Sequence, residues 1–588
     1  MSGRKKLTIF DVVELITGEE SDIGDENDED GDGEEEISTN MNDDHNEYQD
    51  EAPTEVSCSG DDQNHEDEDA IDLCASVSKK KSYTWLKKEH DVPHPRFVIN
   101  SDSSDLSNAS LDSACDYFRR FITDEMLDLV VSESNIYYFQ QKGHLLNLNT
   151  TEVCSVLGIY LLMGIVQMPS VRDYFVKTTG YDAVSSVMSR NRLELILRYL
   201  HFANNETVDE KVKETNKAWK IAPWLVLLRA QCLLTEPQEN NAIDEMLIPF
   251  KGKFSRIRQY IRGKPHPWGF KVWARAGEDG ILYDFELYTG AAPGREKSTL
   301  GVGGDVILRL SETLPQHQNF KVFADNFFSG IPMIIALKSK GIHYTGTIRK
   351  GRLPGCQLRE DKDLEKEGRG ACDYRVERDT DICSVKWNDT KCVTLVSTYL
   401  GVSPMAEIQR WDKKKKGFVK VQRPNIVSEY NSKMGGVDLL DFLCGKYRYK
   451  LRSKRWYMHI FWYSVELAVV NAWLVYRRDF KKSGLESKNM MTLKQFQSDV
   501  AHCLIKQEKS RKRGRPSSTD VEISPSFPRK VRKEPPTNLR KDGFQHLPTF
   551  TTRGKCAFCK TGFCETSCRK CGVRLCIKKS NNCFADFH

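Results

Sequence analysis

Three aspartates stand where a carboxylate has a chemical use. Asp244 interrupts the apolar run NNAIDEMLIPFKG (240–252), Asp325 follows the strand-like FKVFA in FKVFADNFFSG (320–330), and Asp438 lies in NSKMGGVDLLD (431–441). Asp441 follows Asp438 by three residues, a spacing that shares a helix face. A carboxylate in an apolar setting is costly unless it is paired or binds a cation. Enzymes of two-metal phosphoryl transfer gather such groups because hard Mg²⁺ prefers oxygen ligands. Taken singly, each aspartate is weak evidence, because a strand-terminal Asp is usually a turn former or helix cap. A second set of chemical groups closes the chain. Cys556-x2-Cys559 and Cys568-x2-Cys571 are followed by Cys576, Cys583 and His588, with Cys564 between the pairs. C-x2-C thiolate pairs suit tetrahedral zinc, and seven cysteines with one histidine make eight ligands, enough for two Zn²⁺ ions. So short a segment has too few large apolar residues to fold without metal.

The elements that must position these groups follow from periodicity. Segments 112–134, 150–166, 189–202 and 218–234 repeat apolar residues at helical spacing. Beyond Asn240 the pattern turns strand-like. Ala242–Phe250 is a predicted strand carrying Asp244, and Gly269–Ala276 with Ile281–Tyr288 is a predicted hairpin around Gly277–Gly280. A helix over 303–314, a strand over 320–324 that ends on Asp325, a helix over 331–340 and a strand over 343–349 complete an α/β pattern. Glu245, next to Asp244, points to the opposite face of such a strand and is left out of the metal set. Helices return over 427–445, with Asp438, and over 455–480.

Charge divides the chain. Residues 1–77 hold 27 Asp/Glu and three basic residues, whereas the rest carries 84 Lys/Arg against 56 Asp/Glu, a net +28. An acidic tail on a basic body points to a polyanion partner, with the tail either competing with nucleic acid or only aiding solubility. Residues 19–72 lack core-forming side chains and are expected to be unstructured. LTIFDVVELIT (7–17) is a docking helix or an idle one. Lys79-Lys80-Lys81, followed by Trp85, Lys87 and Lys88, is an import signal, a phosphate contact or a set of exposed lysines that does neither. No signal peptide is expected, and neither Val156–Val166 nor Ile460–Tyr476 is expected to span a bilayer; the first is short, and Glu466 and Asn471 interrupt the second. Clustered cysteines favour metal over disulfides and a reducing compartment, the nucleus.

Two further basic stretches bear on nucleic acid. Lys446, Arg448, Lys450, Arg452, Lys454 and Arg455 interleave with Tyr447, Tyr449 and Trp456. Such a run either contacts phosphates and bases or is a solvated basic face over buried aromatics. Arg511-Lys512-Arg513-Gly514-Arg515-Pro516 resembles an AT-hook, in which Arg513 and Arg515 enter a narrow minor groove; a nuclear-localisation signal is the other reading, strengthened by Arg529–Lys533.

The order of motifs VSESNIYY (131–138), LGIYLLMGIVQMPSVRDYF (157–175), RLELILRYLHFANN (192–205), AIDEMLIPFKG (242–252), RGKPHPWGFKVW (262–273), FADNFFSG (323–330), TGTIRK (345–350), YNSKMGGVDLLD (430–441) and KRWYMHIFWYSVELAVVNAW (454–473) resembles the piggyBac transposase family. The resemblance covers about 110–480, and the cysteine module matches too. It implies an RNase H-like catalytic core with an inserted β-rich domain, flanked by helical dimerisation and DNA-binding segments and followed by a small zinc domain. The expected domains are an unstructured 1–107, a helical 108–240, the core at 241–350 and 424–446, an insertion at 351–423, a second helical part at 447–508, a linker at 509–553 and the zinc domain at 554–588. The family's catalytic aspartates fall on Asp244, Asp325 and Asp438, a further one falls on Asp441, and Trp456 matches a tryptophan near the DNA hairpin end.

The chemistry implied is Mg²⁺-dependent cut-and-paste transposition. Asp244 and Asp325 would hold two Mg²⁺ ions jointly, with Asp438 completing one site. Water frees a 3′-OH at the element end; that hydroxyl forms a hairpin on the opposite strand, which is opened and joined to a TTAA target. The implied partners are double-stranded DNA with terminal inverted repeats and a second copy in a homodimer, with no membrane. The zinc module would read the terminal repeat, a RING-like protein contact being the alternative. The family pairs its ligands in a cross-brace, first with third and second with fourth. Lys579 stands where a ligand to follow Cys576 is expected, which leaves Cys564 to compensate or one site incomplete. The rival readings are a domesticated DNA- or chromatin-binding protein with an idle site and an RNA-processing nuclease on the same core.

Overall fold

The computed structural model of the 588-residue chain describes residues 83–98, 111–252, 255, 257–261, 266–290, 298, 300–412, 415–506, 535, 537–578 and 581–588. The acidic tail, the 7–17 segment, Lys79–Lys81, the Arg511–Pro516 motif and Arg529–Lys533 lie outside the described residues.

Strands β1 (Trp85–Leu86), β2 (Asn240–Pro249), β3 (Gln259–Tyr260), β4 (Trp268–Gly277), β5 (Leu282–Leu287), β6 (Lys321–Ala324), β7 (His343–Thr347), β8 (Cys372–Glu377), β9 (Cys383–Asn388) and β10 (Cys392–Ser397) form one ten-stranded sheet. Its heart has the order β5-β4-β2-β6-β7, in which β4 and β5 run antiparallel as a hairpin and β6 and β7 run parallel to β2. This meander of three strands followed by two parallel ones is the RNase H-like arrangement expected. The hairpin turn needs Gly280 at φ 88°, and Asp279 accepts a hydrogen bond from the Ile281 N–H at 3.1 Å.

Alternate residues of β2 enter different cores, as a strand buried on both faces requires. Ala242, Met246 and Ile248 join a large helical core, whereas Ile243 joins a second core with Val306, Ile307, Met333 and Ile334 from helices Gly301–Ser311 and Ile331–Ser339. The helical core gathers Asp124–Lys142, Thr150–Ile165, Arg190–Tyr199 and Ala222–Leu233 with the later helices Trp456–Lys482 and Leu493–Lys506. The apolar window of Trp456–Lys482 is long enough to cross a membrane but is 89% buried within the fold. Its two polar interruptions have different fates. Asn471 pairs with the backbone of Leu282, accepting from its N–H at 2.7 Å and donating to its carbonyl at 3.1 Å. Glu466 is fully buried with neither carboxylate oxygen hydrogen-bonded. Cys115 and Cys503, outside the cysteine cluster, are disulfide-bonded.

The charged segment 351–423 extends the main sheet rather than standing apart from it. β8, β9 and β10 continue past β7 as antiparallel neighbours. β11 (Ala406–Asp412) and β12 (Gly417–Arg423) form a separate hairpin. β1 pairs with β8, Trp85 opposite Glu377, so residues 83–98 are ordered although they fall in the span expected to be unstructured. Lys87 and Lys88, read as an import signal or phosphate contact, face Asp373 at 2.7 Å and Asp381 at 3.2 Å. At the C-terminus, β13 (Pro548–Lys555), β14 (Phe563–Cys568) and helix Cys583–Phe587 surround a core made largely of cysteines.

Candidate functional site

Sheet register brings the first two aspartates together. The parallel pairing of β2 and β6 ends at Ile243 opposite Ala324, so the next residues in register are Asp244 and Asp325, at the carboxyl end of β6. Asp325 begins a tight turn. Its Oδ1 accepts from the Phe327 N–H at 2.8 Å, and its carbonyl accepts from the Ser329 hydroxyl at 3.1 Å. One nitrogen of Arg352 donates to the carbonyls of Asn326, Phe327 and Ser329 at 3.1, 2.7 and 3.0 Å, and Arg349 donates to the Asn326 side chain at 3.0 Å.

Asp438 arrives from the opposite direction, in the first turn of helix Gly436–Lys446. A Cβ on Gly436 would lie 2.0 Å from the Gly277 carbonyl oxygen, so only glycine lets this helix start against the end of β4. Lys433 forms an ion pair with Glu278 of the hairpin turn and ties the preceding helix, Asn425–Lys433, to the same place.

Burial above all pushes the Asp244 carboxyl well above the usual carboxylate range, and the charges of Glu245, Asp325 and Asp438 add to it. Burial likewise raises Asp325, opposed by the Phe327 N–H and the Arg349 guanidinium and reinforced by Glu245. The three aspartates are therefore one electrostatic site. Asp244 and Asp325 are oxygen donors whose ionisation is opposed by burial first and by neighbouring charge second, a donor chemistry that fits a hard divalent cation such as Mg²⁺.

Glu245 lies opposite Trp273, a residue of the second core, so it stands on the other face of β2, as alternation requires; its charge still acts on both Asp244 and Asp325. Asp441 turns to the long helix, accepting from the Tyr463 hydroxyl at 2.6 Å. Tyr430, on helix Asn425–Lys433, is a group that sequence reasoning missed. Burial raises its hydroxyl first, a hydrogen bond with Thr347 opposes this, and the charges of Asp325, Asp244 and Asp438 all reinforce it. The only signal was its presence in YNSKMGGVDLLD.

The basic-aromatic stretch divides. Lys446, Lys450, Arg452 and Lys454 are exposed. Tyr449 is buried and donates to the Met168 carbonyl at 3.2 Å. Arg448 lies 5.2 Å from the Tyr463 ring centroid. Arg455 donates to the carbonyls of Leu197 and Leu200 at the end of helix Arg190–Tyr199 and to the Tyr457 hydroxyl, an internal role that its charge did not foretell. Trp456 is half-buried, 6.0 Å from the Phe270 ring.

The cysteine module offers two groups of four ligands, Cys556, Cys559, Cys576 and Cys583 in one, His546, Cys568, Cys571 and His588 in the other, each with its donor atoms within 4.8 Å of one another. The two groups alternate along the chain as a cross-brace would, with Cys583 beside Cys576 in the first group. Cys564 is corrected: its thiol approaches the Thr566 carbonyl at 3.6 Å and belongs to neither group. His546, ten residues before the first cysteine and read as linker, stands in the second group as its fourth potential donor. Tetrahedral zinc spaces S and N donors roughly 3.5–3.8 Å apart. His546 Nδ1 lies 3.4 Å from Cys568 Sγ and 3.6 Å from Cys571 Sγ, and Cys559 and Cys576 Sγ are 4.0 Å apart. Both histidines have the other ring nitrogen engaged, Nε2 of His546 with Asp542 at 2.9 Å and Nδ1 of His588 with the Phe584 carbonyl at 2.8 Å. The buried Nε2 of His588 has no hydrogen-bond partner. A metal-facing nitrogen oriented through the opposite one is what a zinc ligand requires. A Cβ on Gly562 would lie 2.9 and 3.1 Å from the Cys576 and Cys559 sulfurs, so a side chain there would crowd two of the potential donors. These residues fit zinc.

The transposase IS4 family model matches residues 113–473. The chain is 31% identical over 478 residues to PiggyBac transposable element-derived protein 3 of Homo sapiens, spanning 80% of this chain and 75% of that protein. It is 27% identical over 423 residues to PiggyBac transposable element-derived protein 2 of Homo sapiens, spanning 70% of each. The cryo-EM structure of a piggyBac transposase synaptic complex with hairpin DNA shares the fold, with a TM-score of 0.58 at 20% identity, covering 80% of this chain and 97% of that one.

Proposed function

The chain belongs to the piggyBac transposase family, and from that premise we propose that it is a Mg²⁺-dependent cut-and-paste DNA transposase acting in the nucleus as a homodimer. The observation that carries the reading is the convergence of Asp244 from the middle of β2, Asp325 from the end of the neighbouring β6 and Asp438 from the first turn of a helix. Asp244 and Asp325 would hold Mg²⁺ jointly and Asp438 would complete one site. When bound, Mg²⁺ supplies Lewis acidity and activates water for in-line displacement. The chain's own part is to fix geometry. The turn hydrogen bonds and Arg352 hold Asp325 in place, and the Gly436–Gly277 contact sets the approach of Asp438. Exposed Lys446, Lys450, Arg452 and Lys454 neutralise backbone phosphates, and Arg513 and Arg515 add a minor-groove or import role. The two Cys/His groups would hold structural zinc, which would keep the C-terminal module folded, and the module reads the terminal inverted repeat.

The test is plasmid excision and TTAA reintegration, using the repeats that flank the gene. Intact protein is expected to excise, and Asp325→Asn is expected to reduce excision to background while leaving DNA binding. No excision by intact protein beside an active relative would overturn this reading in favour of a domesticated DNA- or chromatin-binding protein.

A further inference from the structure

One surface away from the carboxylates and the zinc module sets exposed aromatic and cationic groups on a firm mount. The β11–β12 hairpin pairs without a break from Ala406 opposite Arg423 to Asp412 opposite Gly417. Its inner residues, Ile408, Val419 and Val421, pack on the core beneath β8–β10. At the tip of its outer face, Trp411 and Phe418 are cross-strand partners, 52% and 69% exposed, with ring centroids 5.3 Å apart, edge to face. Lys415 and Lys416 are exposed in the adjoining turn.

The mount is specific. Asp389 accepts from Arg410 at 3.1 Å and from Arg369 at 2.9 Å, and Arg369 also donates to the Trp411 carbonyl at 3.1 Å. The pair is thus held outward from behind. Single exposed apolar residues are ordinary, but two large rings packed edge to face at a lysine-bearing tip leave apolar area in water. From Arg423 the chain passes through Pro424 into helix Asn425–Lys433, which carries Tyr430 of the carboxylate site.

We propose that this ribbon is a sequence-independent contact for duplex DNA. The inference rests on the reading of the chain as a DNA-handling protein. A two-stranded ribbon is of a size that a DNA groove admits. Lysines beside the tip neutralise phosphates, and aromatic rings wedge against base steps of a duplex without reading sequence. The net +28 of residues 78–588 draws a polyanion to this body and disfavours a basic protein partner.

The experiment is fluorescence anisotropy of the full-length chain with a duplex that lacks element ends, across a salt series. Trp411→Ala with Phe418→Ala is expected to weaken binding about 5- to 100-fold at an unchanged salt slope. Lys415→Ala with Lys416→Ala is expected to lower the slope of log K against log salt by about 2. Trp411→Tyr with Phe418→Tyr should keep binding, which separates lost ring contact from misfolding. Unchanged affinity and slope in both alanine pairs would overturn the proposal. So would unchanged affinity with altered mass by light scattering, which would make the ribbon a face between copies. Ribbon-dependent binding with no excision would sink only the transposase reading.

Discussion

Removing the His546 imidazole is expected to cost the chain one of two zinc ions. That nitrogen stands 3.4 and 3.6 Å from the Cys568 and Cys571 sulfurs, and its loss leaves three donors to the site, Cys568, Cys571 and His588. Loss of a partner that merely orients a ligand weakens metal binding about 10- to 100-fold, so loss of the ligand itself should exceed 100-fold or so. Asp542→Asn provides the smaller step, because Asp542 accepts from His546 Nε2 at 2.9 Å and also pairs with Lys570. Cys564→Ser should change nothing, its thiol lying outside both groups. Full-length protein would be dialysed against a graded chelator at neutral pH and its zinc per chain measured by mass spectrometry of the metal. The expected order is two zinc ions retained by the parent and Cys564→Ser, the second lost at lower chelator by Asp542→Asn, and one retained by His546→Ala. If Cys564→Ser drops to one ion while His546→Ala keeps two, the ligand assignment is wrong.

Three further outcomes follow from the fold. Burial pushes Glu466 up to about 8 from its ordinary 4.5, so the folded chain binds more protons than the unfolded one between these values. Stability should therefore fall as pH rises through that window, by up to about 5 kcal/mol in total; Glu466→Gln should flatten the fall, read as Tm against pH, and an identical slope in both proteins would refute it. Gly436→Ala must displace the start of the Asp438 helix, because its Cβ meets the Gly277 carbonyl at 2.0 Å. A stability loss of about 1–3 kcal/mol by denaturant unfolding is expected, with excision reduced further than stability explains, and parental excision would refute it. Tyr430→Phe removes a hydroxyl on which all three carboxylates act; excision should drop and its pH profile shift with the fold intact, whereas an unmoved profile would mean that Tyr430 only fills space.

What could be read in the sequence was what local chemistry fixes. Period-2 alternation placed Asp244 on one face of β2 and Glu245 on the other, and the Gly277–Gly280 turn set the β4–β5 hairpin. Contacts that depend on chain closure were not legible. Trp85 reaches its partner Glu377 across nearly 300 residues, and nothing in a short run before a proline-rich stretch announces an edge strand. His546 was passed over because ligand spacing is a local signal, whereas here the β13–β14 pairing, with Pro548 opposite Cys568, returns an upstream segment to the second C-x2-C pair. Arg455 makes the same point from the other side. A guanidinium in a basic run can neutralise phosphate by its type alone, but its fork is equally suited to carbonyl oxygens. The packing of Trp456–Lys482 beside the end of Arg190–Tyr199 supplies those carbonyls first. Residue type thus bounds what a side chain can bind; which partner it meets is decided by the register of elements that are far apart in sequence.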